Sequence, residues 1–214
     1  AYNGWKKLAD GVWNSSKVYK GYAKRPSDVE HSSEFIADTA PLMVLFNDDP
    51  EYADRLAYSS DYFQNLWSGY NNDGLRFFKS AWFSSTEIEV EPPKNRDVAY
   101  NARATKAVRY YAWKTKDQNT IKALTEWADA WLDISQQTSK GKPKGIIPPS
   151  VEFPSGEING KEDNWYTANM VWDYFDWSGA HAILDELLYT WTLTGDEKYL
   201  IPINQHLELV SKHK

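Results

Sequence analysis

The sequence predicts an all-α fold of antiparallel helical hairpins, with a small β-excursion near residues 75–91. Three observations predict it. A helix–turn–helix pattern recurs three times, as "TAPLMVLFNDDPEYADRLAYSSDYFQNLW", "ARATKAVRYYAWKTKDQNTIKALTEWADAWL" and "GAHAILDELLYTWTLTGDEKYLIPINQHLELV". The turns align as Asp49-x-x-Tyr52-x-x-x-Leu56, Asp117-x-x-Thr120-x-x-x-Leu124 and Asp196-x-x-Tyr199-x-x-x-Ile203. Apolar residues follow helical spacing on both sides of each turn. The hairpins are expected at about 28–68, 98–138 and 178–212, within one domain spanning 1–214.

The elements follow in order. A first helix is expected around "GWKKLADGVW". Ser27 and Glu30 offer a capping box that opens the next helix near Asp28. Asp49 suits an N-cap and Pro50 a first helical position, where the missing N–H costs nothing. "LRFFKSAWFSSTEIEVE", residues 75–91, has alternating character around Ile88 and Val90. Ile121, Leu124, Trp127, Ala128, Trp131 and Leu132 form one helical stripe. "SKGKPKGIIPPSVEFPSGEINGKED" reads as a loop, being rich in Gly, Pro and Lys. Ala180, Ile183, Leu184, Leu187, Leu188 and Trp191 form another stripe. Thr194 with Glu197 competes with Asp196 as the cap of the last helix. Pro41 and Pro202 predict kinks or restarts.

Composition narrows the function. The net charge of −6 argues against a dedicated nucleic-acid binder, which needs clustered Lys and Arg. No apolar run approaches the roughly 20 residues that span a bilayer. The absence of cysteine excludes disulfides, thiolate catalysis and Cys-based zinc sites. The chain starts at Ala1, which leaves a processed start open. Aromatics make up 15% of the residues, with 11 Trp and 14 Tyr. They fit either a large helical core or a surface where sugar rings stack on aromatic faces.

Serial hairpins with "LTGDEKYL" at a turn resemble the (α/α) six-hairpin toroids of glycoside hydrolases and polysaccharide lyases. The resemblance covers about 28–212 and matches no single family. It implies an active cleft on the long-loop face, lined by aromatics and opening among the inner helices. A closed ring needs roughly twice this length. The chain is therefore expected to be part of a toroid, completed by the remainder of the same enzyme or by a second copy, with an open helical array as the alternative.

Short turns inside hairpins place the long connections, 70–97 and 139–176, together at one rim. "NWYTANMVWDYFDWSGAHAILDEL", residues 164–187, lies there. The catalytic candidates are Tyr100, Asn101, Arg103, Tyr166, Asp173, Asp176 and His181. The substrate-binding candidates are His31, Glu34, Trp82, Trp165, Asn169, Trp172 and Trp177.

Two mechanisms fit this set. In β-elimination, Asn, Arg or His neutralises a uronate carboxylate and so acidifies the neighbouring C–H. Tyr or His then moves the proton. In hydrolysis two carboxylates flank the bond, about 5–5.5 Å apart for retention or about 6.5–9.5 Å for inversion. Asp173 and Asp176 are candidates, with Glu30, Glu34 or Glu87 opposite. Neither route calls for a metal or other cofactor.

Each candidate also has a purely structural explanation. Asp176 and Ser178 suit a helix cap, His181 a satisfied groove position, and Arg103 an ion pair. Lys140, Lys142 and Lys144 on the loop tilt the expectation towards an acidic polysaccharide and elimination. The expected partner is a polysaccharide or oligosaccharide, with neither nucleic acid nor membrane, and the expected location is secreted or periplasmic in a bacterium. The alternatives are a glycoside hydrolase and a non-catalytic helical-repeat module binding glycan or protein.

Overall fold

A computed structural model describes residues 2–37, 39, 41–42, 44, 48–160, 162–166 and 177–212, the side chains of 177–179 excepted. The described chain is mostly helical, with short two-stranded ribbons between the helices.

Helix α1 (Tyr2–Trp13) leads into the ribbon β1 (Val18–Tyr19) and β2 (Tyr22–Ala23). Strand β3 (Ser27–Asp28) opens α2 (Val29–Ala37), and α3 (Pro50–Asp61) runs on into a π-helical turn at Tyr62–Trp67. The next connection holds β4 (Ser68–Tyr70), β5 (Arg76–Phe78), β6 (Trp82–Phe83) and β7 (Arg96–Val98). A 3-10 turn at Ala99–Arg103 precedes α4 (Thr105–Thr115), and α5 (Gln118–Gln136) folds back on it. After β8 (Ser150–Glu152) come α6 (Trp177–Thr194), a 3-10 turn at Glu197–Leu200, and α7 (Ile201–Lys212).

The aspartate caps behave as their spacing predicts. The Asp49 side chain accepts from the Glu51 N–H at 3.1 Å, with Pro50 at the helix start. Asp117 accepts from the Thr120 N–H at 2.8 Å, directly after Lys116 closes α4 in the left-handed conformation. Asp196 accepts from the Lys198 N–H at 3.0 Å. One open choice is decided and one cap differs from expectation. Asp196 is the cap because the Thr194 hydroxyl donates back to the Thr190 carbonyl at 2.9 Å. Asp28, not Ser27, caps α2, since its Oδ1 accepts from the N–H groups of Glu30 and His31 at 3.0 and 3.2 Å. Pro202 falls in the first turn of α7, where the helix restarts after the 3-10 turn.

Helix contacts arrange the described helices in two rows. Helices α2, α4 and α6 form a front row, in which the 99–103 turn packs against both α2 and α6. Helices α1, α3, α5 and α7 pack behind: α1 on α2, α3 on α4, and α5 on α4, α6 and α7.

The core lies between the back row and the ribbons, and it absorbs much of the aromatic content. Trp67, Trp127 and Trp131 are fully buried with Tyr22, Phe63, Phe77, Phe78 and Phe83. Trp67 lies 4.6 Å from Tyr22 and 4.9 Å from Phe83, centroid to centroid. Phe78 lies 5.5 Å from Trp127.

The β content is wider than expected. β3 pairs with β6, β4 with β5, and β7 with β8, all antiparallel. The β7–β8 ribbon joins 96–98 to 150–152, inside the segment read as plain loop. Pairing over such a separation leaves no local pattern to read. Ile88 forms only an isolated bridge to Phe83, and Val90 is exposed. No helix among the described residues is long and apolar enough to cross a membrane.

Candidate functional site

The rim is positioned by one buried carboxylate. Asp97 is the middle residue of β7, inaccessible to solvent. Its Oδ2 accepts from Trp127 Nε1 at 2.7 Å, Trp131 Nε1 at 3.1 Å and the Phe78 N–H at 3.0 Å. Its Oδ1 accepts from Asn101 Nδ2 at 3.0 Å. Four donors from three elements thus pin the start of the second hairpin against α5 and β5. Burial pushes the Asp97 carboxyl up to about 7, against the opposing pull of these hydrogen bonds.

Asn101 therefore belongs to the scaffold. It is fully buried, with its amide directed at Asp97 and, at 3.4 Å, the Ser80 carbonyl. That geometry removes it from the groups able to meet a sugar carboxylate. Tyr100 and Arg103 flank it and are half-buried. Arg103 Nη1 donates to the Tyr100 hydroxyl at 3.3 Å, and the guanidinium lies 6.0 Å from the Tyr100 ring centroid.

His181 is exposed on α6, the helix that packs against the 99–103 turn. His31 and Glu34 are exposed on α2, which touches the same turn. His31 Nδ1 lies 2.8 Å from Asp28 Oδ2, and that carboxylate holds the imidazole above its usual value. Tyr100, Arg103, His181, His31 and Glu34 thus sit on the 99–103 turn and on the two helices that pack against it.

The aromatic candidates are more scattered. Trp82 is half-buried in β6, with the Lys94 ammonium 4.5 Å from its ring centroid. Trp165 is half-buried, edge-on to the exposed Tyr166 at 5.8 Å. The Tyr166 hydroxyl donates to Asn164 Oδ1 at 3.1 Å. Asn169, Trp172, Asp173 and Asp176 lie outside the described residues, as does the Trp177 side chain.

The loop lysines part company. Lys142, expected to face an anionic polymer, is buried, and its ammonium donates to the carbonyls of Ser135, Ile146 and Pro143 at 2.7, 2.8 and 3.2 Å. It ties the loop to the end of α5 and cannot reach a ligand. Lys140 donates to the Ile158 carbonyl at 2.6 Å, and Lys144 is exposed.

A cleft of about 740 Å³ opens on the front row. Its walls include Ala37, Pro41 and Leu42 beside α2, Lys106, Arg109, Tyr110 and Trp113 on α4, and Asp185, Leu188, Tyr189 and Thr192 on α6. These positions run along α4 from its start at Lys106 to Trp113 near the short turn, and along α6 from its middle at Asp185 to Thr192. The rim candidates adjoin them by one helical turn on every wall: Glu34 before Ala37, Arg103 before Lys106, His181 before Asp185. At three- and four-residue spacing each pair shares a helix face.

Sequence reasoning missed the charged floor of this cleft. Arg109 Nη1 donates to Asp185 Oδ2 at 2.7 Å, and its Nε faces Glu186 Oε2 at 3.4 Å. Glu186 is buried, accepts from the Thr105 hydroxyl at 2.7 Å, and is pushed up to about 7 by burial. The signal was present: Glu186 stands between Ile183 and Thr190 on the buried stripe of α6, where an acid needs a partner.

No protein-family model matches the sequence, and no curated relative matches it. The fold is similar to that of a solved structure titled "Crystal structure of D-mannose isomerase", with a TM-score of 0.56 at 9% sequence identity. The match covers 94% of this chain and 48% of the other, so the chain spans about half of that structure.

Proposed function

We propose that this chain is part of a carbohydrate-processing enzyme of the (α/α)-toroid type, and that its front wall cleaves an acidic polysaccharide by β-elimination. The observation that carries the reading is the Arg103–Tyr100 contact, three residues before the cleft-lining Lys106 and on the turn that packs against the helix bearing His181. Elimination begins by removing the proton on the carbon beside the uronate carboxylate. A guanidinium next to that carboxylate stabilises the charge that develops. Tyr100 and His181 are the proton carriers: one takes the C5 proton, the C4–O4 bond breaks as the C4=C5 bond forms, and the other protonates O4. Arg103 serves both the carboxylate and any negative charge on the Tyr100 oxygen.

A second reading is favoured by the fold likeness. An aldose–ketose isomerase also starts by abstracting a proton beside a carbonyl, so the same groups serve both reactions. Hydrolysis needs two carboxylates across the bond. Glu34 is the exposed acid among the wall candidates described, and Asp173 and Asp176 would have to supply the second. The apolar residues exposed on α1 (Tyr2, Trp5, Leu8) and α7 (Ile201, Leu207, Val210) support the idea that further hairpins, from a second copy or from elsewhere, close the ring.

Incubation with acidic polysaccharides separates these readings. Ultraviolet absorbance of an unsaturated uronate is expected, lost in Tyr100→Phe and Arg103→Gln with the helical circular dichroism intact. Reducing ends without that absorbance would assign hydrolysis. Ketose formed from a free aldose would assign isomerisation.

A further inference from the structure

We propose that Arg109, on the floor of the cleft, seats the carboxylate of an acidic sugar unit whose ring lies on Trp113, with Asp185 as the carboxylate it displaces. This deepens the carbohydrate reading and rests on it.

The guanidinium is held from behind by Glu186 and covered on the cleft side by Asp185. Its Nε faces Glu186, which the Thr105 hydroxyl fixes in turn. The Tyr189 hydroxyl donates to the Arg109 main-chain carbonyl at 2.6 Å, and the Tyr189 ring centroid lies 5.5 Å from the guanidinium. Arg109 is therefore nine-tenths buried and its planar fork has one orientation. Its Nη1 meets Asp185 Oδ2 at 2.7 Å, where the Asp185 side chain is nearly half exposed on the cleft wall. An exposed side-chain carboxylate on a fixed guanidinium marks where a ligand carboxylate would sit. Exchanging one for the other keeps the charge-assisted hydrogen bond.

Two cations face two acids at this point, so a ligand carboxylate would enter by exchange with Asp185. Lys106 and Arg109 line the cleft against Asp185. Glu186 Oε1 is buried with no hydrogen-bond partner, so the acid behind Arg109 is only half satisfied. The apolar share of the site is also present. Trp113 follows Arg109 by one turn and is 46% exposed within the cleft, beside Leu188. An indole face next to a fixed guanidinium suits a pyranose ring carrying a carboxylate. Arg103 lies six residues earlier, in the 3-10 turn that precedes α4.

Binding tests this without turnover. Saturation-transfer NMR would compare glucuronate and galacturonate with glucose and galactose on the full chain. The uronates are expected to bind at least tenfold more tightly. Asp185→Asn, which removes the competing carboxylate, should tighten uronate binding several-fold and leave neutral sugars unchanged. Trp113→Ala should weaken uronate binding, and Arg109→Gln should abolish the preference over neutral sugars. If Arg109→Gln fails to fold, the opposite signs of the Asp185 and Trp113 variants still decide. Equal binding of charged and neutral sugars, or an Asp185→Asn variant that binds uronate no better, overturns the proposal. Uronate binding with no elimination would sink the lyase reading alone. Elimination with an indifferent Asp185→Asn variant would sink this subsite alone.

Discussion

Replacing Asp97 by alanine should destabilise the protein by about 4 kcal/mol at pH 8, and by more at pH 5. Four N–H donors lose their acceptor: Trp127, Trp131, Phe78 and Asn101. A buried donor left alone costs about 1–3 kcal/mol, so four cost about 8 kcal/mol at mid-range. Against this stands the cost of burying the charge. The carboxyl rises from an ordinary 3.8 to about 7, which corresponds to about 4 kcal/mol carried by the ionised form at pH 8. Alanine removes that cost, leaving a net loss of about 4 kcal/mol.

The pH dependence has a definite sign. Between about pH 4 and 7 the folded state keeps a proton that the unfolded chain releases, so wild-type stability falls as pH rises through this window. Glu186, also pushed up to about 7, adds a slope of the same sign. Asp97→Ala should abolish the Asp97 share and leave that of Glu186. Urea unfolding followed by tryptophan emission at pH 5 and pH 8 measures both quantities, because Trp127 and Trp131 sit on the deleted carboxylate. A loss below about 1 kcal/mol at both pH values, or an unchanged pH slope, would refute the view that Asp97 organises the rim.

Lys142 should behave with the opposite sign. Burial pulls its ammonium down to about 8, so stability should rise between about pH 8 and 10 as the unfolded chain alone holds the proton. Lys142→Met should flatten that rise and speed hydrogen exchange at Gly145, whose N–H donates to the Ser135 carbonyl at 2.7 Å. Arg55 docks α1 through Asp10 at 2.8 Å and through the rings of Trp13 and Tyr52, 4.8 and 4.5 Å away. Arg55→Ala should cost about 2 kcal/mol by removing the guanidinium from both rings and from Asp10, which keeps the Tyr52 hydroxyl. Hydrogen exchange should localise the damage to residues 2–13, and uniform protection there would contradict it. The apolar faces of α1 and α7 should drive self-association, which light scattering would register as a concentration-dependent dimer. A strict monomer at high concentration would exclude a second copy as the occupant of those faces.

The helices, their turns and their caps were readable from the sequence because each rests on neighbours within four residues. Asp49, Asp117 and Asp196 meet N–H groups two or three residues ahead, and the stripes of α5 and α6 repeat with the helix period. Residue type and chain order also placed Tyr100, Arg103 and His181 on touching elements, since short turns alternating with long connections leave the long ones together. Folding alone decided what depends on distant partners. Asp97 became a hub, and drew Asn101 in with it, because α5 brings two indole N–H groups from thirty and thirty-four residues away. Lys142 turned inward because the end of α5 offers it carbonyls. The β7–β8 ribbon and the Arg109–Glu186 pair join segments more than fifty residues apart. Which polar side chain is exposed and which is spent on the scaffold is a property of those long-range contacts, and no local pattern encodes it.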